Sequence, residues 1–392
     1  MKLGIIGLGA RIASLLPRMR TACPELELIA VADPGPGHEA RLEDAAPAHL
    51  YSDPAAMLAA HRFDLLAIGS PNHLHLDHLR LALAGETPRI FVEKPVVVSL
   101  EQTLELARLL AAHDGLSRVA VGLVLRYSPL YRALRKAQAE GHLGEIMSIE
   151  AAEHIAPYHG SFFMRDWRRD SALSGGFMLE KCCHDLDLYQ GMAGARAMHV
   201  ASFGGRKKFL PSRRPAGAPD YLSVMAPRWG GTDDAFSGAG DLIDYQTALV
   251  EYENGATLAF HTNSNVPDEY RRFAVIGTDG MAEGDFIRNY FRLTRSDDGA
   301  VLADDRAVAD SGAMKGHYGA DQAMIDDLFA CYAGLLPALP LTVGDALEAG
   351  VSALAMEEAR RTRRVVDLAP FWARYDLAMT GNGTGKDRAG AA

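Results

Sequence analysis

The chain has 392 residues, with 40 basic against 50 acidic for a formal charge of −10, and 48% apolar and 23% charged residues. This length suits two or three domains, and the composition is that of a globular protein rather than a disordered or fibrous one. The acidic balance excludes a general nucleic-acid binder, which needs a basic face, and no apolar run approaches the ~18 residues of a membrane span.

Lys2–Ile6 reads as a short strand. Gly4, Gly7, Gly9 and Arg11 break up its apolar character, so no signal peptide is expected. Gly7-Leu8-Gly9 then opens a helical pattern with Ile12, Leu15, Leu16 and Met19 on one face, and Pro17 should kink or shorten it. Leu26–Ala32 is a strand ending at Asp33-Pro34-Gly35. Leu65–Gly69 is a buried strand running into Ser70-Pro71-Asn72, and His73–Ala84 is a helix stopped by Gly85. Ile90–Val92 is a strand entering Glu93-Lys94-Pro95. Leu100–Ala112 is a helix and Ser117–Leu123 a strand. Strands alternating with helices predict a parallel sheet covered on both faces.

Beyond Arg126 the texture changes. Pro129–Gly141 reads as a helix, Ile146–His154 as a strand and Gly175–Tyr189 as a helix after a glycine pair. Gly204–Asp244 lacks periodicity and reads as an ordered insertion loop in which Tyr221, Trp229 and Phe236 can be buried. Gln246–Tyr252, Ala256–Thr262, Phe273–Gly277 and Phe291–Arg295 read as strands of a mainly antiparallel sheet, with Glu253-Asn254-Gly255 a hairpin turn. Thr342–Arg361 reads as a helix capped by Thr342 with Asp345 three residues on. The tail from Thr380 is small and polar, and disorder is expected there. These readings divide the chain into 1–123, 124–379 and a 380–392 tail. Four cysteines without CxxC spacing (Cys23, Cys182, Cys183, Cys331) suit a reduced, cytoplasmic setting.

Gly7-x-Gly9 at a strand-to-helix turn allows close approach of a pyrophosphate to the backbone of Gly7, Gly9, Ala10, Arg11 and Ile12. Ile12 stands where a third glycine is usual. Asp33, at the end of the second strand, can accept from ribose hydroxyls and repels a 2′-phosphate, which favours NAD over NADP. Arg11 is the counter-argument, since a nearby arginine can pair with a phosphate; Asp33 also fits a simple turn. Lys94 leaves the C-terminal end of a buried strand, where open α/β sheets bind ligands. A surface Lys-Pro turn is the alternative. On a helix, Glu180, His184 and Asp187 share one face, so a carboxylate can orient the imidazole as a general base. A buried histidine paired with a carboxylate is the plain alternative. No metal is expected: Cys182 and Cys183 diverge around the helix, and no second Cys/His pair completes a site.

Taken together, the N-terminal Gly-x-Gly, Ser70-Pro71-Asn72 with His75, Glu93-Lys94-Pro95, Leu125-Arg126-Tyr127, Trp167-Arg168, Gly175-Gly176 through His184 and Asp187, and Gly316-His317-Tyr318-Gly319-Ala320-Asp321 resemble the Gfo/Idh/MocA oxidoreductases. The resemblance implies an α/β protein: an N-terminal Rossmann domain with a doubly wound parallel sheet, then an α+β domain with a large open, mainly antiparallel sheet often used for oligomerisation. It places the catalytic lysine on Lys94 and the histidine on His184. Glu180 stands where the family commonly has aspartate. Ser70, Pro71, Asn72, His75, Glu93 and Arg126 fall on the cofactor side, with a carboxylate partner in an ordinary ion pair the alternative for Arg126. Tyr158, His159, Trp167, Arg168, Asp187 and His317 fall on the substrate side, with Asp321 beside His317. Trp167 and Tyr158 would offer ring faces to a sugar, and Asp187 fits a supporting place behind His184.

The function implied is NAD(P)-dependent hydride transfer at a carbinol carbon of a sugar, polyol or glycoside, in a homodimer or homotetramer without nucleic-acid or membrane partners. A second reading keeps the site but cleaves glycosides by oxidation and elimination with recycled NAD. A third is a non-catalytic dinucleotide-binding sensor, against which the retained ionisable residues argue.

Overall fold

Six short apolar runs pair as one sheet: β1 (Lys2–Ile6), β2 (Glu27–Ala32), β3 (His49–Tyr51), β4 (Leu65–Ile68), β5 (Ile90–Val92) and β6 (Val119–Val121). Every pairing is parallel and the order is β3-β2-β1-β4-β5-β6. The computed structural model describes residues 1–35, 42, 49–217, 234–308 and 315–380. All four β4 residues are buried, as a strand covered on both faces requires. The sequence leaves β1 in opposite directions toward β2 and β4, so a crevice opens at the C-terminal ends of these strands.

Helices α1 (Ala10–Ala22), α2 (Pro54–Ala60), α3 (His75–Ala84) and α4 (Leu100–Ala112) accompany this sheet. Contrary to expectation, α1 runs through Pro17. Its buried face of Ile12, Leu15, Leu16 and Met19 is uninterrupted, and packing of that face outweighs one missing backbone bond. The strand expected over Ser117–Leu123 is shorter, because Gly115–Arg118 forms a helical turn. The Arg118 guanidinium holds that turn by donating to the carbonyls of Leu83, Gly85, Thr87 and His113.

A nine-stranded sheet follows, from β7 (Ile146–His154), β8 (Ala197–Gly205), β9 (Tyr245–Tyr252), β10 (Thr257–Asn263), β11 (Tyr270–Gly277), β12 (Gly280–Asp285), β13 (Tyr290–Arg295), β14 (Val301–Asp305) and β15 (Val366–Asp367). Its order is β14-β13-β12-β11-β7-β10-β9-β8-β15, antiparallel except where β10 meets β7. The helices here are α5 (Pro129–Ala139), α6 (Pro157–Phe163), α7 (Phe177–Ala193), α8 (Ala320–Tyr332), α9 (Val343–Thr362) and α10 (Ala369–Met379). Helix α9 packs on α7 and β8, while α8 returns to pack on α1. Along β9 and β10 buried and exposed residues alternate, so one face of the sheet is covered and the other is open.

The Asn254-Gly255 hairpin joins β9 to β10, with Gly255 at φ +84°. Thr342 and Asp345 form the expected capping box of α9. The insertion begins within β8 at Gly204 and Gly205; Phe236 is buried against Phe209, their rings 5.3 Å apart. Tyr221, Trp229 and residues 381–392 of the tail lie outside the described residues. Among the described residues, no helix is long and apolar enough to cross a membrane.

Candidate active site

At the crevice, β1 ends in Gly7 at φ +79°. A Cβ there would stand 2.4 Å from the Ser70 amide nitrogen, so only glycine lets the two strand ends approach so closely. Helix α1 opens at Gly9 with no side-chain cap and no acid in its first turn. Nothing therefore competes with a diphosphate for the first amide groups, those of Ala10, Arg11 and Ile12, or for the positive end of the helix dipole. Ile12 fills the third-glycine position, and the missing space is recovered opposite it: a Cβ on Gly69 would lie 2.2 Å from Ile12 Cγ1. The Asp33 carboxylate accepts from the amides of Leu8 and Gly35, both at 2.8 Å, which holds it at the end of β2, where a dinucleotide's ribose would lie. These residues fit an NAD dinucleotide.

The side chains near this turn take partners that the sequence did not disclose. Arg11 Nε donates to Glu93 at 3.2 Å and Arg11 Nη2 to Asp321 at 2.8 Å. Burial raises the Glu93 carboxyl above its ordinary value, against the pull of Arg11. Ser70 Oγ contacts His78 Nδ1 at 2.8 Å. Pro71 leads into a helical turn, Asn72–Leu74. His75 lies buried between the turn at Ser70 and the turn at Pro95. Its Nδ1 and Nε2 each lie 2.8 Å from a carbonyl, of Pro95 and Ser70, and burial lowers its pKa to about 4. The neutral ring carries a single N–H and so donates to one of the two carbonyls at a time.

Lys94 crosses from the first sheet to the second half of the chain, donating from Nζ to the Glu180 carbonyl at 2.6 Å. His184 lies one turn further along α7. It is buried, and its Nδ1 has no hydrogen-bond partner among the described residues. Burial, reinforced by the Lys94 ammonium and His317, holds its imidazole well below the ordinary value. The expected orienting bond from Glu180 is absent. Glu180 instead accepts from Asn72 Nδ2 and, at 3.3 Å, from Arg168 Nε, so it anchors α7 to the β4 turn. The His317 ring lies 5.7 Å from that of His184, and its Nδ1 contacts Asp321 at 3.0 Å. Burial would raise the Asp321 carboxyl, but His317 and Arg11 hold it well below the usual carboxylate range. The His317 side chain is 37% exposed.

Asp187 and Arg126 pair with each other, the ion-pair alternative left open for Arg126 and a supporting place for Asp187 behind His184. Arg126 Nε and Nη2 donate to the two Asp187 oxygens at 2.8 and 2.7 Å, and Nη1 donates to the Pro340 carbonyl. Burial nevertheless pushes the Asp187 carboxyl up to about 6. Each carboxylate of this face pairs with an arginine, Glu180 with Arg168 and Asp187 with Arg126, and among the described residues His184 Nδ1 has no partner. On the far wall, Tyr158 donates to Glu269 at 3.1 Å, and His159 Nδ1 lies 3.9 Å from the same carboxylate. Burial lowers the His159 pKa well below its ordinary value, and burial with Glu269 raises Tyr158 to about 12. Arg168 lies over the rings of Trp167 (4.2 Å) and Phe162 (4.4 Å).

Sequence reasoning missed a buried charge network beneath His184. Lys181 Nζ lies 2.8 Å from Glu153, Arg271 Nη1 3.2 Å from the same Glu153 oxygen, and Arg271 Nη2 2.5 Å from Asp185. Its only signal was charge in otherwise buried elements, Lys181 and Asp185 on α7 and Arg271 on β11. Asp321, which the resemblance places with His317 on the substrate side, also reaches Arg11 beside the Gly7-x-Gly9 turn, a link that no local pattern announced.

Residues 1–122 match the family model described as oxidoreductase family, NAD-binding Rossmann fold, and residues 131–283 match the GFO/IDH/MocA C-terminal domain. The protein YteT of Bacillus subtilis (strain 168) is 23% identical over 412 residues, covering 90% of this chain and 93% of its own. Inositol 2-dehydrogenase of Rhizobium meliloti (strain 1021) is 27% identical over 227 residues, 57% of this chain and 63% of its own. The structure of scyllo-inositol dehydrogenase from Lactobacillus casei, with bound NAD(H) and scyllo-inositol, superimposes with a TM-score of 0.69 at 21% identity, covering 94% of this chain and 99% of that one. With both halves matched, the chain belongs to the Gfo/Idh/MocA oxidoreductase family, with an NAD-binding Rossmann fold at its N-terminus.

Proposed function

We propose that the protein is an NAD-dependent dehydrogenase acting on a CH–OH group of a sugar, polyol or glycoside, with Lys94 and His184 at the reacting hydroxyl. The observation that carries this reading is the meeting of two groups. The Lys94 ammonium is held 2.6 Å from the Glu180 carbonyl, and one turn on lies the buried His184, whose Nδ1 is without a partner among the described residues. When bound, the nicotinamide takes up the two electrons of the oxidation as hydride. His184 is neutral near pH 7 because burial lowers its pKa, so it can accept the hydroxyl proton. Lys94 hydrogen-bonds the same oxygen and stabilises the charge that develops on it. Glu180 acts through its hold on Asn72 and Arg168, keeping α7 against the β4 turn. Asp33 supports NAD over NADP, and a second copy of the chain on the open sheet face completes the assembly.

A screen of inositols, monosaccharides and glycosides with NAD and NADP, followed by absorbance of the reduced nicotinamide, tests this reading. Turnover with NAD on at least one polyol or sugar, lost in Lys94→Ala, is expected. No turnover with any of them would overturn it. The His317–Asp321 pair supplies a second titratable group 5.7 Å from His184, and that favours oxidation–elimination as the second reading. Aglycone release with catalytic rather than stoichiometric NAD would distinguish it.

A further inference from the structure

Helix α7 sends its side chains to two different places. One side packs on the covered face of the nine-stranded sheet: Cys182 reaches Thr262 on β10, Asp185 reaches Arg271 on β11, and the Tyr189 ring lies 6.4 Å from that of Phe273. The other side turns Glu180 to Arg168 and Asp187 to Arg126, with His184 between them. At 3.6 residues per turn, Lys181 stands about 40° from Asp185 and about 60° from His184 around the helix axis. It therefore lies on the seam between the two sides.

Lys181 is tied to one side and open to the other. Its ammonium lies 2.8 Å from Glu153 Oε1, and Glu153 stands opposite Arg271 in the β7–β11 ladder. Side-chain exposure is 3% for Glu153, 2% for Arg271 and 0% for Asp185, but 14% for Lys181, so of these four the lysine reaches furthest into open space. Its neighbours give the direction. Burial is the first cause that holds the imidazoles of His159, His184 and His317 below their ordinary value, and the Lys181 charge adds to it at all three. These rings come from α6, from α7 and from the turn ahead of α8, and the last two lie 5.7 Å apart. The Lys94 charge is likewise felt by His159 and His184. The open end of Lys181 thus faces the cleft that Lys94 enters.

Lys181 and Arg271 meet Glu153 and Asp185, two cations against two carboxylates, so the charge of the group is balanced without a ligand. Such a group has no excess charge to draw an acidic substituent. It offers N–H donors held in a fixed place, and a sugar hydroxyl can accept from one of them. Glu153 sets that place, because moving the ammonium away would leave the buried carboxylate with Arg271 alone. Side chains three apart on a helix start about 5–6 Å from each other, a spacing that two oxygens of one sugar ring can bridge.

We propose that Lys181 is a specificity-determining residue, donating to a second hydroxyl of the substrate while Lys94 and His184 hold the hydroxyl that is oxidised. The oxidised hydroxyl rests on the dehydrogenase reading; the hydrogen bond from Lys181 does not. The test measures binding to the enzyme–NADH complex, in which no oxidation can occur. The probes are methyl β-glucoside, methyl β-galactoside and myo-inositol, each with its monodeoxy derivatives, and calorimetry is run on the wild type and on Lys181→Met. In a series that binds, removal of one hydroxyl is expected to weaken wild-type binding by about tenfold or more and to matter little in Lys181→Met. The loss at the hydroxyl read by Lys94 and His184 is expected to be the same in both. With NAD, Lys181→Met should raise KM for the parent compound more than it lowers kcat. Deoxy losses unchanged in Lys181→Met, losses that shrink alike at every position, or no binding by any of the three parents would overturn the proposal. Arg271 stays against Glu153 in this variant, so NADH binding is expected to hold; its loss would put the lysine's role in the fold and overturn the proposal too. Binding of the expected pattern without turnover would refute the dehydrogenase reading and leave Lys181 in place. Turnover lost in Lys94→Ala but indifferent to Lys181→Met would do the reverse.

Discussion

Replacing Arg126 by Met leaves the Asp187 carboxylate buried with no cation against it, and a severed pair of that kind costs about 3–5 kcal/mol of stability. The expected outcome is a matching drop in the urea midpoint, largely restored by Arg126→Met/Asp187→Leu. An unmoved midpoint with weaker NAD binding would return Arg126 to the cofactor site. At the cleft, Lys94→Ala and His184→Ala should each lower kcat by about a hundredfold or more. The pH profile carries its own sign. Burial disfavours the charged imidazole, so His184 stays neutral, and competent as a base, to a pH below the ordinary histidine value of 6.5. The acid limb of kcat/KM should therefore fall below pH 6.5; a limb above that value would exclude His184 as the base. Lys94 and His184 were legible from motif alone because each owes its place to its own strand end or helix. Their surroundings were not: Arg271 meets Asp185 across 86 residues of sequence, and no local pattern reports a pairing of that range.

Helix α1 and strand β4 show a glycine and a side chain trading places. With Ile12 at the third-glycine position, Gly69 is the residue that cannot grow: Gly69→Ala should cost about 1–3 kcal/mol through overpacking, read as a lower thermal midpoint. Ile12→Ala in the same chain should recover much of that loss, and a double variant no better than Gly69→Ala would refute the pairing. The same principle of local versus distant information explains which elements could be read in advance. The buried Rossmann strands β1, β2, β4, β5 and β6 are continuous apolar runs, whereas the short, largely exposed β3 at the sheet edge is not and went unread. The capping box of α9 and the Asn254-Gly255 turn are written in adjacent residues. β8, β12 and β14 escaped notice for different reasons. β8 ends in two glycines, β12 holds Gly280 and Gly284, and most of β14 faces solvent, so none shows an uninterrupted alternation. Pro17 misled in the opposite direction, since its local penalty is real but smaller than the packing of the α1 face.

In the whole molecule, the open face of the nine-stranded sheet displays Phe203 (69% exposed) and Leu249 (58% exposed) on neighbouring strands. Isolated large apolar residues on a surface are ordinary; two on adjacent strands of the open face are what the proposed assembly with a second copy would cover. Light scattering at micromolar concentration should show a dimer or tetramer, shifted toward monomer by Phe203→Glu/Leu249→Glu; a monomeric wild type would refute this. The return of α8 onto α1 has a consequence of a different kind. Asp321 serves two masters: Arg11, beside the turn where a diphosphate would rest, and His317, in the cleft wall. A ligand that draws Arg11 away strengthens the hold of Asp321 on His317 and favours its protonation. Reciprocity then requires that protonating His317 tighten the binding of that same ligand by an equal factor. The two halves of the chain thus share one account of charge, and NAD affinity measured against pH would show which end is drawing on it.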